Sequence, residues 1–309
     1  MNDSAHSLNN SVLGSDALSI SKLFNVKGWV IIVTGGGTGL GLCTASALAA
    51  NGAKVYITGR RLEPLEKAVS EASPKAKEGG GQMIPIQADA STKEGVQKMR
   101  EVIESKEKWI NVLINNHGVS LGHADPNAVE QTPEALSKEM FENESFENWL
   151  DGYRINTASY YFTSFAFLPL LAAAKTVGGY AEPGNILNLG SVSGITKTSQ
   201  KGQFSYNANK AATISLSHQL ATEFARRNLN IRVNVICPGY FPSGMNTMQG
   251  EYAGGSDESL TYARSKWGIP FGRAGNAVDY AQAIFSLITN QYMTGAELVI
   301  DGGWLLEMG

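Results

Sequence analysis

Cysteine is scarce in this 309-residue chain: Cys43 and Cys237 are the only two. Two thiols cannot build a disulfide framework, so a reducing, intracellular setting is the expectation. Strong charge of either sign is also missing. Lys and Arg number 25 against 28 Asp and Glu, for a formal net charge of -3. Such a balance recommends neither a nucleic-acid partner nor an anionic membrane surface. Long apolar runs are lacking too. The longest, 165–174, is ten residues and contains Pro169, where a membrane span needs about twenty. The first twenty-one residues hold no Lys or Arg, which fits neither a secretory signal nor a presequence. The C-terminal Leu306-Glu307-Met308-Gly309 is not a peroxisomal tripeptide. A cytoplasmic protein with no membrane segment is the resulting expectation. His117 and His123 have no Cys or acidic partners at metal-ligand spacing, so no metal site is expected.

What is present is apolar residue in quantity, 43% of the chain, enough to bury a large core. Residues 1–25, rich in Ser and Asn and without sustained period, read as an N-terminal extension. From Trp29 the pattern changes. The β-branched run Val30-Ile31-Ile32-Val33 suits a strand buried on both faces of a parallel sheet. A helix is expected over 41–51, stopped by Gly52, then a strand over 54–58 and a charged helix from about Leu62. Further strands fit at 83–88, 112–115, 185–189, 232–236 and 297–300, with helical segments between them. Alternation of this kind predicts one doubly wound α/β domain over 26–309, a mainly parallel sheet of seven strands with helices on both faces. Three stretches read as irregular: the loop Gly79-Gly80-Gly81, the acidic segment 120–148, and 242–268, placed to cover a site beyond the strand ends. The acids of 139–147 suit a solvated helix face, and the aromatics Tyr160, Tyr161, Phe162, Phe165 and Phe167 a core or a subunit interface. Cys237, beside Pro238, reads as a small buried apolar residue.

Thr34-Gly35-Gly36-Gly37-Thr38-Gly39-Leu40-Gly41 follows the first strand and opens the first helix. Glycines there allow backbone N–H groups to approach a pyrophosphate at a helix N-terminus. No Lys follows, which excludes a P-loop. At the tip of the second strand the chain reads Ile57-Thr58-Gly59-Arg60-Arg61, without a carboxylate to accept from a ribose 2′-hydroxyl. Two guanidinium groups suit a 2′-phosphate, so NADP(H) is preferred, with NAD(H) as the alternative. Farther on, Tyr206 and Lys210 stand four residues apart, on one face of a helix. An ammonium beside a phenol lowers its pKa, and such a phenol can exchange a proton with a carbonyl or alcohol oxygen.

Taken together, these motifs resemble the short-chain dehydrogenase/reductase family in its compact single-domain branch. The resemblance runs from about Val26 to Gly303. It rests on the glycine loop, Asn115-Asn116-His117-Gly118 (the family has Ala where His117 stands), Asn156, 188–194, Tyr206 with Lys210, Pro238-Gly239 and Asp301-Gly302-Gly303. It implies Tyr206 as proton donor in reduction, Lys210 as its electrostatic partner and ribose ligand, Ser191 holding the substrate oxygen, and Asn156 positioning a water. Ser193 lies nearer the family's commoner spacing from the tyrosine, but alignment from the strand end favours Ser191. The resemblance further implies cofactor contacts from Gly35, Thr38, Gly39 and Leu40 at the pyrophosphate or ribose, and from Asp89 and Ala90 at the adenine. Asn115 and Gly118 would lie along the adenosine, and Pro238, Gly239, Phe241 and Ser243 at the nicotinamide. The segments 238–245 and 269–273 resemble a 3-oxoacyl reductase-like subgroup that includes rhamnolipid-pathway reductases. With Met245, Met248, Tyr252, Tyr262 and Trp267 in the covering stretch, an apolar carbonyl substrate is expected. The alternatives are an NAD-dependent alcohol, polyol or steroid dehydrogenase, and a dinucleotide-binding regulator without turnover. Family members assemble through helices near Asn156 and Tyr206, which implies a homo-oligomer, a tetramer or a dimer.

Overall fold

A computed structural model describes residues 18–242 and 268–308. The strands form where β-branched residues run together. β1 (Val30–Thr34), β4 (Val112–Asn115) and β6 (Arg232–Pro238) are buried at every position, as strands covered on both faces must be. With β2 (Lys54–Gly59), β3 (Gln82–Gln87), β5 (Asn185–Leu189) and β7 (Glu297–Ile300) they form one sheet in the order β3-β2-β1-β4-β5-β6-β7. Every pairing is parallel, Ile31 standing opposite both Val55 of β2 and Val112 of β4. The strand order reverses between β1 and β4, which opens a crevice at their carboxyl ends.

Before β1, a single helical turn, α1 (Ile20–Leu23), occupies part of the stretch expected to be aperiodic. α2 (Gly39–Ala50) and α3 (Leu62–Gly79) follow β1 and β2. α4 (Lys93–Glu104) follows β3 and is capped by the Thr92 hydroxyl. The acidic segment expected to be irregular contains α5 (Pro133–Glu142) and the start of a long helical run, α6 (Phe146–Tyr153). Both carry good start signals: Thr132 and Ser145 accept from the backbone amides of Ala135 and Asn148. α5 buries no side chain, so it has no apolar stripe for a periodicity reading to detect. β3 starts at Gln82 and stops at Gln87, one residue earlier at each end than expected. It holds Pro85 because it is an edge strand whose outer side needs no ladder donor.

α6 passes through a wide turn of π type, Arg154–Ala158, into α7 (Ser159–Thr176). The run Phe146–Thr176 is the one described stretch long and apolar enough to cross a membrane by length and composition. Half of its most apolar window is buried, with Phe167 and Leu171 deep in the core. α8 (Phe204–Arg226) precedes β6, α9 (Ala277–Thr289) precedes β7, and α10 (Trp304–Met308) follows it. Two apolar layers flank the sheet. Leu48 of α2 and Ile284 of α9 pack on one face, and Met99, Phe167 and Phe224 of α4, α7 and α8 on the other. Of the covering stretch 242–268, all but its two end residues lie outside the described part, Ser243 included.

Candidate active site

The open ends of β1, β4 and β5 face one another across the crevice. The cleft at β1 and β2 is bordered by Gly37, Thr38, Thr58, Arg60, Arg61 and Asp89. Gly35 leaves β1 at a φ of +65°, and a Cβ there would sit 2.8 Å from the His117 backbone, so only glycine fits. Thr38 is the N-cap of α2 by conformation, yet its side chain caps no amide, and the first turn carries no acid. A helix start with uncommitted donors is an anion site when an anion is offered. Thr58 Oγ1 is buried without a partner, and neither Arg60 nor Arg61 forms an ion pair among the described residues. An anionic, hydroxyl-rich dinucleotide fits these groups.

Asp89 is organised locally. Its Oδ1 accepts from the amide and hydroxyl of Ser91, at 2.9 and 2.6 Å. Burial pushes its pKa up, but these bonds and the nearby Arg60 charge outweigh it, leaving a carboxylate below its ordinary value. Ala90 beside it is buried in the apolar layer. Leu40 opens α2 next to Gly39, and its carbonyl accepts from the Thr44 hydroxyl.

Asn115 does not point into the cleft. Its amide donates to Asn188 Oδ1 at 2.9 Å and to Ser164 Oγ at 3.3 Å, entirely buried. Asn188 in turn donates to Ser217 Oγ at 2.9 Å. This polar bridge ties β4 and β5 to α7 and α8, so the Asn115 side chain supports the frame. Asn116, the next residue of that motif, has a more direct place: its amide donates to the carbonyls of Thr34 and Gly35 at 3.1 and 3.2 Å. Gly118 matters for proximity, since a Cβ there would come within 2.9 Å of Asn156 Oδ1 and 3.8 Å of Lys210 Nζ.

Asn156 lies in the π turn. Its amide pairs with the Val119 backbone in both directions, accepting at 2.8 Å and donating at 2.9 Å. Ser191 lies just past the end of β5 and caps a 3₁₀ turn, Val192–Gly194, its hydroxyl oxygen accepting from the Ser193 amide at 3.1 Å. The Ser191 side chain also faces the Tyr206 phenol and draws its pKa down. Ser193 is buried in the turn. Tyr206 and Lys210 project from the first turns of α8, with Lys210 Nζ 5.9 Å from the phenol ring centre. Lys210 donates to the Leu189 carbonyl at 2.8 Å.

The electrostatics differ from the simple expectation of a lysine-depressed phenol. Burial raises the Tyr206 pKa above its ordinary value, and the Ser191 side chain pulls it down only in part. Burial also pushes Lys210 down to about 8, against the opposing influence of Cys237. The ammonium is engaged by a carbonyl rather than by the phenol, and that arrangement accounts for the difference. Cys237 itself is buried and raised to about 12, an inert packing thiol as expected.

On the nicotinamide side, Pro238 ends β6, and Gly239 closes on Asp301 so tightly that a Cβ would lie 2.7 Å from the aspartate's own. Asp301 accepts from the amides of Gly303 and Leu305, both at 2.8 Å, which fixes the start of α10. Phe241 is turned inward, its ring 5.5 Å from that of Tyr280 in a core pair, so it shapes the wall from behind.

A nucleotide-binding crevice beside a Ser, Tyr and Lys set, the Ser and Lys buried, defines an oxidoreductase of the Rossmann type. Comparison with known proteins gives the family: the short chain dehydrogenase model matches residues 29–253, and the chain belongs to it. A short-chain dehydrogenase/reductase, VdtF, from Byssochlamys spectabilis is 33% identical over 94% of this chain and 96% of its own length. A rhamnolipids biosynthesis 3-oxoacyl-[acyl-carrier-protein] reductase from Pseudomonas aeruginosa is 30% identical over 92% and 98%. Among solved structures, the Pseudomonas aeruginosa RhlG/NADP active-site complex superposes with a TM-score of 0.74 at 30% identity, covering 91% of this chain and 98% of that one. The chain is thus an NAD(P)-dependent oxidoreductase of CH–OH and C=O groups, acting on small molecules.

Proposed function

We propose that the protein reduces a carbonyl compound, a 3-oxoacyl thioester or another apolar ketone, to the alcohol with NADPH. The observation that carries this reading is the Ser191 side chain set against the Tyr206 phenol, with Lys210 one turn along the same helix. When bound, NADPH supplies the hydride. Tyr206 then donates the phenol proton to the oxygen that gains negative charge, and Ser191 donates a hydrogen bond to the same oxygen. Two donors already aimed at that oxygen stabilise charge in the transition state without reorganisation. Lys210 keeps a positive charge beside the phenolate that remains, and Asn156 orders the polar path by which the phenol regains its proton.

The preference for NADPH is supported by Arg60 and Arg61, which border the cleft at the tip of β2 and form no ion pair among the described residues, and by the NADP complex of the similar structure. Apolar substrates are supported by the named activity of the Pseudomonas relative and the methionines and aromatics of 242–268. Cofactor oxidation over a panel of 3-oxoacyl thioesters, bulky ketones and polyols tests this. NADPH should be favoured, and Arg60→Ala with Arg61→Ala should raise its KM at least tenfold while leaving that for NADH nearly unchanged. Turnover confined to polyols or to NADH would sink the reading.

We also read the chain as a cytoplasmic homo-oligomer, a tetramer or dimer. α7 leaves Tyr161, Phe162 and Phe165 40 to 44% exposed, beside a cavity of about 280 Å³ between α7 and α8. Apolar faces of that kind are what subunit packing buries.

A further inference from the structure

His117 stands where the resembled motif has alanine, and nothing in the proton-transfer scheme uses it. Its surroundings are unusually complete. Nδ1 lies 2.8 Å from Thr34 Oγ1, and Nε2 lies 2.7 Å from Ser159 Oγ. The Ser159 hydroxyl hydrogen is committed to the Ile155 carbonyl at 2.7 Å, so Nε2–H of the imidazole donates to Ser159. The Thr34 hydroxyl has one hydrogen and two acceptors, Nδ1 at 2.8 Å and the Ile114 carbonyl at 3.3 Å; the shorter contact takes it. A neutral imidazole therefore completes one directed chain: Thr34 to His117, His117 to Ser159, Ser159 to Ile155.

The ends of this chain are what matter. Thr34 is the last residue of β1 and adjoins Gly35 of the phosphate loop. Ile155 precedes Asn156 in the π turn, and Ser159 begins α7. The Tyr160 hydroxyl, on the same helix, donates to the His117 carbonyl at 2.7 Å, and its ring meets the imidazole edge-on at 5.0 Å. The charged groups facing His117 are Lys210, Asp89 and Arg60. Burial, reinforced by Lys210, holds the imidazole neutral with a pKa near 3, so the chain persists through the ordinary pH range.

We propose that His117 is a positioning residue that couples the phosphate loop at the end of β1 to the π turn carrying Asn156, so that cofactor seating and the proton path share one geometry. Alanine could hold neither end. A π turn is a wide, locally weak piece of helix, and a side chain anchored across the crevice fixes it.

The inference rests on the dinucleotide-reductase reading, and binding separates the two. NADPH affinity, read by quenching of protein fluorescence, and kcat at saturation are measured on the full chain. The set is the parent, His117→Ala, His117→Leu, His117→Gln, Ser159→Ala and the His117→Ala/Ser159→Ala double variant. Expected are a loss of NADPH affinity of about tenfold or more in the Ala and Leu variants, and partial recovery in Gln, whose amide can reach Ser159. The double variant should be no weaker than His117→Ala alone within twofold, because both substitutions cut one chain. Parent-like affinity and kcat in His117→Leu would reduce the residue to space filling and overturn the proposal, as would independent, additive losses. Should His117→Ala fail to fold, Ser159→Ala and His117→Gln carry the same comparison. NADPH binding by the parent without turnover of any ketone would sink the reductase reading while leaving the affinity comparison decisive for His117. A parent that binds neither NADPH nor NADH overturns both.

Discussion

Tyr206 and Lys210 stand in opposed electrostatic positions: burial disfavours the charged form of each, phenolate in one and ammonium in the other. Lys210 is 2% exposed and donates to the Leu189 carbonyl. Its pKa falls from 10.5 in the unfolded chain to about 8 in the fold. Below pH 8 both states are protonated and the full cost of burying the charge is present. As pH rises from 8 to 10.5 the folded lysine is neutral while the unfolded one remains charged, and stability rises. That difference corresponds to about 3 kcal/mol. Lys210→Met should therefore remain folded and match or exceed the parent's stability at pH 7, by up to about 3 kcal/mol. The gain should shrink toward pH 10.5, with turnover reduced at least a hundredfold. Denaturant unfolding at pH 7, 8 and 10 checks the first part; a large loss of stability at pH 7 would mean the ammonium is a structural asset, not a retained liability.

At the scale of elements, the site depends on how the end of β5 meets α8. The 3₁₀ turn after Ser191 is pressed onto α8, a Cβ on Gly194 lying 2.6 Å from the Lys210 backbone. We read that contact as setting Ser191, and not Ser193, against the phenol. Ser191→Ala should lower kcat about 10²- to 10³-fold, the usual cost of removing a preorganised donor, while Ser193→Ala should change it less than fivefold. Steady-state rates of the two variants decide, and the reverse pattern would exchange their roles. Spacing along the chain leaves this choice open, because the two serines lie only two residues apart. Strands were legible because buried parallel strands are written as apolar runs; β1, β4 and β5 match their expected limits within a residue. α5 and α6 were not, since their start signals are local, neither buries an apolar side chain, and Phe141 and Phe146 remain more than 80% exposed. The role of Asn115 was likewise hidden: the motif marks its position, but only the cross-sheet bond to Asn188 shows that its side chain faces inward.

Across the whole molecule, seven parallel strands, the reversal between β1 and β4 and the two arginines at the tip of β2 place a dinucleotide cleft beside the Ser191, Tyr206 and Lys210 set. The long helical run bearing Asn156 continues outward to the exposed aromatics of α7. On the proposed assembly through that face, Tyr161→Glu should give a smaller species than the parent in light scattering after gel filtration, with the far-ultraviolet spectrum unchanged. An unaltered mass would place the interface elsewhere. The account turns on Tyr206 as the proton donor, and its most direct test is a single-turnover measurement. Decay of NADPH absorbance is followed after mixing loaded enzyme with a bulky ketone, for the parent and for Tyr206→Phe. The account predicts at least a 10²- to 10⁴-fold slower decay in the variant, with NADPH affinity retained within about threefold. Equal decay rates would contradict it and remove Tyr206 from the chemistry.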